Sequence, residues 1–386
     1  MNFENKNGSL PLHRRKNIFA ELDQALRLSG FVGDTSLPRL LWLAFHTKDF
    51  ERPVSVAVLG PSGAGKSFAL KAAQKFVPDD WYETIHAMSE KALVYSPLDL
   101  KHRFLVIQEA AGMAKGEGRT LLRQLLTEGE LNYVTVDSVD GELGGKHLRR
   151  EGPTGVMMTT TAASLHPEDA SRMFCFNFSD DPEQARAILR TQASARKPKL
   201  SEDVLEAWKN FSAQALSRKV DVIIPFAEDL ADAVPVTHLR IRRDFEQVLK
   251  LIETSARLHR SNRERADNGA YIATIEDYAH VFDLVARPLS EGIEATVPQG
   301  VVDVVRAVEE LARTESALVC SGISQKDVAQ HIGRDKSFVS RNVEVALSHG
   351  FLEDWNYGKG RVSDLRVGHA ALPSNETVLP RPESLK

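Results

Sequence analysis

The chain has 386 residues, 42% hydrophobic and 26% charged, which is the composition of an ordinary globular protein of two or three domains. Its formal net charge of −4, from 49 Lys and Arg against 53 Asp and Glu, excludes a protein that holds nucleic acid through bulk positive charge. Two cysteines exclude a disulfide scaffold, and no apolar run is long enough for a bilayer, so we expect a cytoplasmic protein with no membrane partner.

The first 180 residues predict an N-terminal helical segment over 1–50 and an α/β domain over 51–180. Apolar side chains recur at helical spacing from Ile18 to Leu28, and a second apolar helix is expected from Pro38 to Phe45. Strands that alternate with helices then indicate a parallel sheet. The apolar runs that predict its strands are Val54–Leu59, Phe104–Ile107 and Gly155–Met158, and the helical stretches between them are 67–76 and 119–127.

The remaining chain predicts a helical second domain over 181–298, a third unit over 299–370 and a disordered tail over 371–386. Pro298 and Gly300 mark the boundary before the third unit. The stretches with helical periodicity in the second domain are 182–195, 201–217, 239–260 and 274–290.

A glycine-rich loop follows the first predicted strand directly and matches the pattern G-x-x-x-x-G-K-[ST]. Backbone N–H groups of such a loop surround phosphates, and the N-terminus of the following helix adds its positive dipole end. Lys66 would reach the β- and γ-phosphates and Ser67 would bind Mg²⁺, so the predicted cofactors are ATP and Mg²⁺. The residues predicted to bind the nucleotide here are Gly60, Ser62, Gly63, Ala64, Gly65, Lys66 and Ser67.

The strand at 104–107 ends in Gln108 and Glu109, which supply polar groups to the metal and to the attacking water. Glu109 is in the position to orient or deprotonate water, whereas Gln108 stands where an aspartate usually orders the metal. We therefore predict Glu109 as a catalytic residue and Gln108, with Ser67, as a magnesium ligand. The alternative is a core strand that ends in an exposed glutamate.

Three further segments resemble the AAA+ ATPases. Gly155–Thr161 resembles the strand that ends in their sensor 1 residue, and His166–Arg172 resembles the segment that carries their arginine finger. The segment 240–253 is similar to the sensor 2 helix of the minichromosome-maintenance (MCM) replicative helicases. The resemblance implies roles for Thr160 as sensor 1, Arg172 as a finger that reaches a neighbour's ATP, and Arg243 as a γ-phosphate ligand in its own subunit.

The resemblance extends over about residues 30–290 and points to MCM-like helicases of mobile elements, phage satellites and prophages. The resemblance also includes four short sequence segments, Lys101–Phe104, Glu109–Gly112, Thr127–Gly129 and Glu151–Thr154. It implies a ring, most simply a hexamer, that translocates on DNA and works with an element-encoded primase or initiator. Two alternatives stay open: an ATP-switched replication initiator or loader, and a regulatory or signalling AAA+ ATPase.

A hairpin is predicted between Leu131–Val136 and Lys146–Glu151. A hairpin in this place in ring helicases points into the pore, so Lys146, His147 and Arg149 are predicted to contact single-stranded DNA. The alternative is a solvated hairpin whose basic side chains balance its own acidic ones.

The third unit predicts a helix-turn-helix, with helices at Gln325–Ile332 and Lys336–His349, and resembles a winged helix. Strand-like segments at Phe351–Trp355 and Arg361–Val367 supply the wing. Residues 301–370 hold 9 Lys and Arg against 10 Asp and Glu, so a protein-docking or purely structural module is the alternative to duplex binding. The predicted duplex-DNA contacts are Lys336, Ser337, Arg341, Lys359 and Arg361.

Overall fold

A computed structural model gives the structure of the chain, which divides into two compact units. The first comprises Met1–Val234, Arg242–Leu289 and Val378–Lys386, and the second comprises Pro235–Ile241 and Ser290–Thr377. The residues that the structure describes are 11–86, 89, 91–96, 98–109, 117–139, 142–161, 165–178, 182–193, 200–218, 220–235, 240–294, 297, 299–315, 322–356, 358, 362–369, 372 and 378–385.

The first unit is built on a five-stranded parallel sheet, which confirms the predicted α/β class. The strands of this unit are β1 Val56–Leu59, β2 Tyr82–Ile85, β3 Arg103–Ile107, β4 Leu131–Val139, β5 Glu142–Arg150, β6 Thr154–Thr160, β7 Phe174–Asn177, β8 Val222–Ile223 and β9 Tyr271–Ile272. The order in the main sheet is β2-β3-β6-β1-β7, so β6 lies between the strand before the glycine-rich loop and the strand before Glu109. The three predicted strands form its centre, and β2 and β7 were missed.

Helices cover both faces of this sheet, which is why β1 is buried along its whole length. On one face Ala57 and Leu105 pack against Leu125, and on the other Phe45 packs edge-on against Phe104. The helices of this unit are α1 Ile18–Leu28, α2 Ser36–Phe45, α3 Lys66–Gln74, α4 Ala92–Tyr95, α5 Glu117–Glu128, α6 Pro167–Ala170, α7 Pro182–Ala193, α8 Glu202–Leu216, α9 Ala227–Ala233, α10 Ile241–Leu258 and α11 Ile275–Glu294.

Strands β4 and β5 form an antiparallel hairpin apart from the main sheet, with Leu131 opposite Arg150 and Val139 opposite Glu142. The pairing runs further than the sequence predicted, because Gly144 and Gly145 continue β5 instead of forming the turn. Leu131 is buried in the core of the first unit, so the base of the hairpin is anchored there.

The predicted disordered tail is wrong for residues 378–385. The Tyr278 hydroxyl donates to the Pro380 carbonyl at 2.6 Å, and Leu379 and Pro382 are buried. The chain therefore returns to the first unit after completing the second.

The second unit contains three helices and a two-stranded antiparallel ribbon among its described residues. Ser324 and Asp327 form a reciprocal capping box, and Gly333 ends the second helix at φ +65°. Val304, Val328 and Val343 are buried in one core between the three helices. The elements are α12 Gln299–Glu315, which was missed, and α13 Gln325–Ile332, α14 Lys336–Ser348, β10 Leu352–Asp354 and β11 Leu365–Val367.

No helix in the described ranges combines the length and the apolar character that a membrane span requires.

Candidate functional site

The glycine-rich loop curls around Lys66 at the carboxyl end of β1. The Lys66 Nζ donates to the carbonyls of Gly60 at 2.7 Å and Pro61 at 2.6 Å. Gly63 and Gly65 have φ values of +81° and +101°, which L side chains rarely adopt. Position 60 requires glycine for a further reason, because a Cβ there would lie 2.5 Å from the carbonyl oxygen of Phe178.

Lys66 is 7% exposed, and its burial lowers the pKa of the ammonium, while the negative charge of Glu109 acts in the opposite direction. Its present acceptors are neutral carbonyls of the loop. A polyphosphate would give this cation a stronger, charge-assisted acceptor.

Next to the loop lies a cavity of about 210 Å³ that brings most of the predicted catalytic residues together. Glu109 has a φ of +59°, a strained value for a non-glycine residue, and its N–H donates to the Thr159 Oγ1 at 3.2 Å. Thr159 therefore positions Glu109, a role that the sequence had not assigned. The described residues that line the cavity are Ser62, Gly63, Gly65, Lys66, Ser67, Phe68, Glu109, Thr159, Thr160 and Thr161.

Gln108, predicted as a magnesium ligand, does not line this cavity. It is 8% exposed, and its backbone N–H donates to the Ile85 carbonyl at 3.0 Å, which continues the pairing of β3 with β2. Ser67 is thus the predicted metal ligand that the fold brings to the cavity. Phosphate oxygens and water would complete the coordination of Mg²⁺, as that ion commonly requires.

A larger cavity of about 490 Å³, which the sequence did not reveal, adjoins the other side of the loop. Gly63, Gly65 and Phe68 line both cavities, and Ala64 lines this one. Phe31 stacks on Phe68 with ring centroids 5.6 Å apart and planes 7° from parallel. The wall comes from Ser29–Val32 and from α7, with Gln184, Ile188, Thr191 and Gln192. The cavity has the size and the mixed polarity of a small-molecule pocket.

Arg172 and Arg243 lie together in a third cavity at the opposite edge of the sheet, and neither lines the two loop cavities. The Arg243 Nη1 donates to the Ser171 Oγ at 3.0 Å, and the Arg172 Nε donates to the Thr127 Oγ1 at 2.8 Å. This cavity adjoins Pro53, before β1, and Arg172, before β7. Since β1 has four residues, its ends are about 13 Å apart. The predicted contact of Arg243 with a phosphate on its own loop is therefore absent from this conformation.

Two arginines of α5 bind the short segment that precedes Arg172. Arg119 and Arg123 donate from their Nε atoms to the two oxygens of Asp169, at 2.7 and 2.6 Å. Burial alone would raise the pKa of Asp169, but the two arginines outweigh it and hold that pKa below its usual range. Arg172 also donates to the backbone carbonyl of Glu168. The Glu168 carboxylate pairs with Arg123.

The basic residues of the hairpin are exposed but do not share one face. Lys146 pairs across the hairpin with Thr135, whereas His147 and Arg149 belong to the other face with Val134. Arg149 donates to Glu130 at 2.8 Å, and Val134 and Val136 are 69% and 67% exposed. The next residue, Arg150, donates from its Nε to the Val94 carbonyl.

In the second unit Lys336, Ser337 and Arg341 are exposed in the first turns of α14. Asp335 caps this helix by accepting from the Phe338 N–H at 2.9 Å. Lys359 and Arg361 lie outside the described residues.

One cluster in the described part of the chain, His259, Asp277 and His280, has the spacing of metal ligands. Its hydrogen bonds indicate a structural role. The His259 Nε2 accepts from the Ile18 N–H at 3.2 Å, its Nδ1 bonds the Ser255 carbonyl at 2.8 Å, and Arg263 occupies both oxygens of Asp277. The cluster therefore joins α1 to α10 and α11.

No protein-family model matches the chain, and a search of curated proteins finds no significant match.

Proposed function

We propose that the protein is an AAA+-type ATPase that acts as an ATP-driven DNA motor, similar to the MCM-like helicases of mobile elements and working in the cytoplasm. The observation that carries the proposal is the cavity at the carboxyl edge of the sheet, where Lys66, Ser67 and Glu109 meet around a glycine-rich loop. Parallel α/β sheets bind ligands outside the carboxyl ends of their strands. A lysine, a hydroxyl and a carboxylate are the groups that phosphoryl transfer to water requires.

In this proposal the triphosphate lies along the loop, with Lys66 on the β- and γ-phosphates. A bound Mg²⁺, held by Ser67 and phosphate oxygens, would neutralise charge on the reacting phosphates. Glu109 orients the attacking water and accepts its proton. Thr159 holds the Glu109 backbone, and Thr160 lies beside it in the same cavity. The base of ATP occupies the larger cavity, against Phe31 and Phe68.

The position of Arg172 supports hydrolysis at interfaces between subunits. Arg172 and Arg243 belong to the amino edge of the sheet, so we propose that both act on a nucleotide held by a neighbouring copy. This revises the role of Arg243, which the sequence assigned to its own subunit. Positive groups that arrive from a neighbour stabilise charge on the γ-phosphate in the transition state. Head-to-tail contacts of this kind generate a ring, and a hexamer is the proposed form.

The hairpin and the second unit supply the proposed DNA contacts. Lys146, His147 and Arg149 are exposed on β5 and would contact single-stranded DNA in a pore. Three helices with an antiparallel ribbon support a winged-helix assignment for the second unit, with the exposed start of α14 directed at duplex DNA. An element-encoded primase or initiator is the proposed protein partner.

A replication initiator or loader is the second candidate, and Gln108 favours it. This neutral side chain lies outside the loop cavity, and Glu109 is the one carboxylate among the described residues that line it, so that lining offers no second carboxylate to support rapid hydrolysis. ATP would then act as an assembly switch without processive unwinding.

Strand displacement on a forked duplex, with ATPase measured with and without single-stranded DNA, tests the proposal. Hydrolysis that DNA stimulates, accompanied by unwinding, is expected for the motor. Stimulation without unwinding would favour the loader, and indifference to DNA would favour a signalling ATPase. Absence of any nucleotide hydrolysis would contradict the proposal.

Lys146→Ala tests the hairpin assignment. We expect basal ATPase to stay at the wild-type level and the DNA-stimulated rate to fall several-fold, because each subunit of a ring would lose a phosphate contact. Lys75→Ala, an exposed lysine of the same unit away from the hairpin, is the matched control. Full stimulation in Lys146→Ala would contradict the pore assignment.

A further inference from the structure

The cavity at the amino edge is cationic, and its charge is not balanced among the described residues that line it. Four basic side chains line its volume of about 80 Å³: Arg52, Arg172, Arg243 and Lys250. Glu246 is the one carboxylate among the described lining residues, and the Lys250 Nζ donates to it at 2.6 Å. The lining therefore keeps an excess of three positive charges.

The partners of these cations are mostly neutral. Arg172 donates to the Thr127 hydroxyl and to a backbone carbonyl, and Arg243 donates to the Ser171 hydroxyl. Arg52 is exposed, and the structure gives it no ion pair in the described ranges. Like charges that converge without counter-ions repel one another, so an anion in the cavity would lower the energy of the whole group.

Two further details identify an oxyanion as the ligand. Guanidinium groups bind phosphate through paired N–H donors, and three guanidinium groups with one ammonium line this cavity from three separate segments. Gln247, which also lines the cavity, has a buried amide oxygen with no hydrogen-bond partner in the described residues. Rotation of this amide would present its NH₂ group to an anion. The small volume admits one phosphate group and excludes a whole nucleotide.

The pKa of Glu246 also links Arg52 to the other basic residues of the cavity. The hydrogen bond from Lys250 lowers the pKa of Glu246, burial opposes it, and the charges of Lys250 and then Arg52 lower it further. Arg52 thus acts on the same carboxylate as Lys250, although the two are almost two hundred residues apart in sequence.

We propose that Arg52 and Lys250 complete an oxyanion site with Arg172 and Arg243, whose ligand is the terminal phosphate of a nucleotide bound to a second copy of the chain. This inference rests on the proposed ATPase function. It adds two cations that no sequence motif marks, one preceding β1 and one on α10.

Subunit mixing tests the inference with ATP as the probe. Arg52→Gln and Lys250→Met should each lower turnover about 10²-fold, the usual cost of losing one donor at a transition-state oxyanion. ATP affinity should not change, because the loop lies at the other edge of the sheet. A one-to-one mixture of Arg52→Gln with Lys66→Ala should recover about a quarter of wild-type turnover, since a quarter of head-to-tail interfaces then join an intact loop to an intact cavity.

Two controls exclude general damage to the fold. Arg218→Gln changes an exposed arginine outside the cavity and should keep wild-type turnover, and melting temperatures should match for all variants. Glu246→Gln removes the cavity's carboxylate and should leave turnover at or above the wild-type value. A loss as large as that of Lys250→Met would instead show that the ion pair is a structural brace, and would overturn the role of Lys250.

The outcomes separate this inference from the function on which it rests. If the wild type neither hydrolyses ATP nor assembles with it, the proposed function fails. If mixtures of Arg172→Ala and Lys66→Ala recover activity while Arg52→Gln and Lys250→Met are fully active alone, the ATPase stands and the four-cation site is wrong.

Discussion

The two edges of the parallel sheet differ in how their polar groups are assembled. At the carboxyl edge, Gly60–Ser67 are contiguous, and the backbone itself forms most of the site. At the amino edge, Arg52, Arg172 and Lys250 arrive from segments far apart in sequence. A loop made of one segment can hold a ligand within one subunit, whereas a group of basic side chains from several elements suits a ligand presented by another molecule.

The sharpest test of this division is Lys66→Ala. ATP binding should fall below detection, because the loop loses its only lysine and the charge-assisted contact with the phosphates. Isothermal titration calorimetry with ATP measures it. Lys71→Ala, on the exposed side of the same helix, should bind normally. Near-normal binding by Lys66→Ala would remove the carboxyl edge from consideration as the nucleotide site.

The second largest effect is expected from Glu109→Gln, which should slow hydrolysis by about 10²–10⁴-fold while ATP still binds. Thr159→Val should lower turnover less, by about tenfold, because it removes only the acceptor that positions the Glu109 backbone. Single-turnover hydrolysis separates the chemical step from binding. Equal rates for wild type and Glu109→Gln would show that another group activates the water.

The free energy of unfolding should decrease in acid, because the buried His46 follows α2 near the amino edge of the sheet. Burial lowers the pKa of His46 to about 4, and the backbone carbonyl of Trp42 only partly offsets this. Between pH 6.5 and 4 the unfolded chain takes up a proton that the folded chain refuses. The free energy of unfolding should therefore decrease as the pH falls through this window, by about 3 kcal/mol from His46 alone.

Urea unfolding between pH 7 and 4 measures this loss, and His46→Asn should make the profile flatter. Part of the slope should remain, because burial also lowers the pKa of His259 to about 4. An unchanged slope in His46→Asn would contradict the neutral buried state of this side chain.

The smallest effect concerns the cavity beside the loop. Phe31→Ala should weaken ATP binding about tenfold, because it removes one ring of the stacked pair and its contact with the base. Turnover at saturating ATP should not change. Leu189→Ala, on the exposed side of α7, is the control. A fall in turnover with unchanged affinity would place the base elsewhere.

Features that neighbouring residues determine were predictable from the sequence, whereas features that depend on residues far apart in the chain were not. Continuous apolar runs predicted β1, β3 and β6 because strands buried on both faces need no polar alternation. The half-buried β2 and the short β7 carry four residues each and only a weak pattern, so they were missed. Gly144 and Gly145 indicated a turn, yet pairing along the hairpin kept them extended.

The residues of the candidate site also differ in whether the sequence could predict them. The loop and Glu109 were predictable, since adjacent residues and a strand end determine them. Ser29–Val32, which form one wall of the larger cavity, match no motif. They lie beside α7 only in the folded protein, because about 150 residues separate the two segments in sequence. The neighbourhood of Arg243 and Arg172 likewise depends on tertiary packing, which is why the sequence did not predict that the two arginines lie together.

The docked segment at 378–385 changes how the second unit can be removed or moved. Because the chain leaves the first unit near Leu289 and re-enters it near Val378, the segment Ser290–Thr377 is covalently joined to the first unit at both of its ends. A simple truncation before α12 would also remove Leu379 and Pro380 from their contacts near Tyr278 and expose apolar surface of the first unit. An internal deletion of the intervening residues, with a linker that joins the two junctions, is therefore the way to isolate the first unit with its C-terminal segment intact. Any rotation of the segment Ser290–Thr377 must twist the backbone at both junctions.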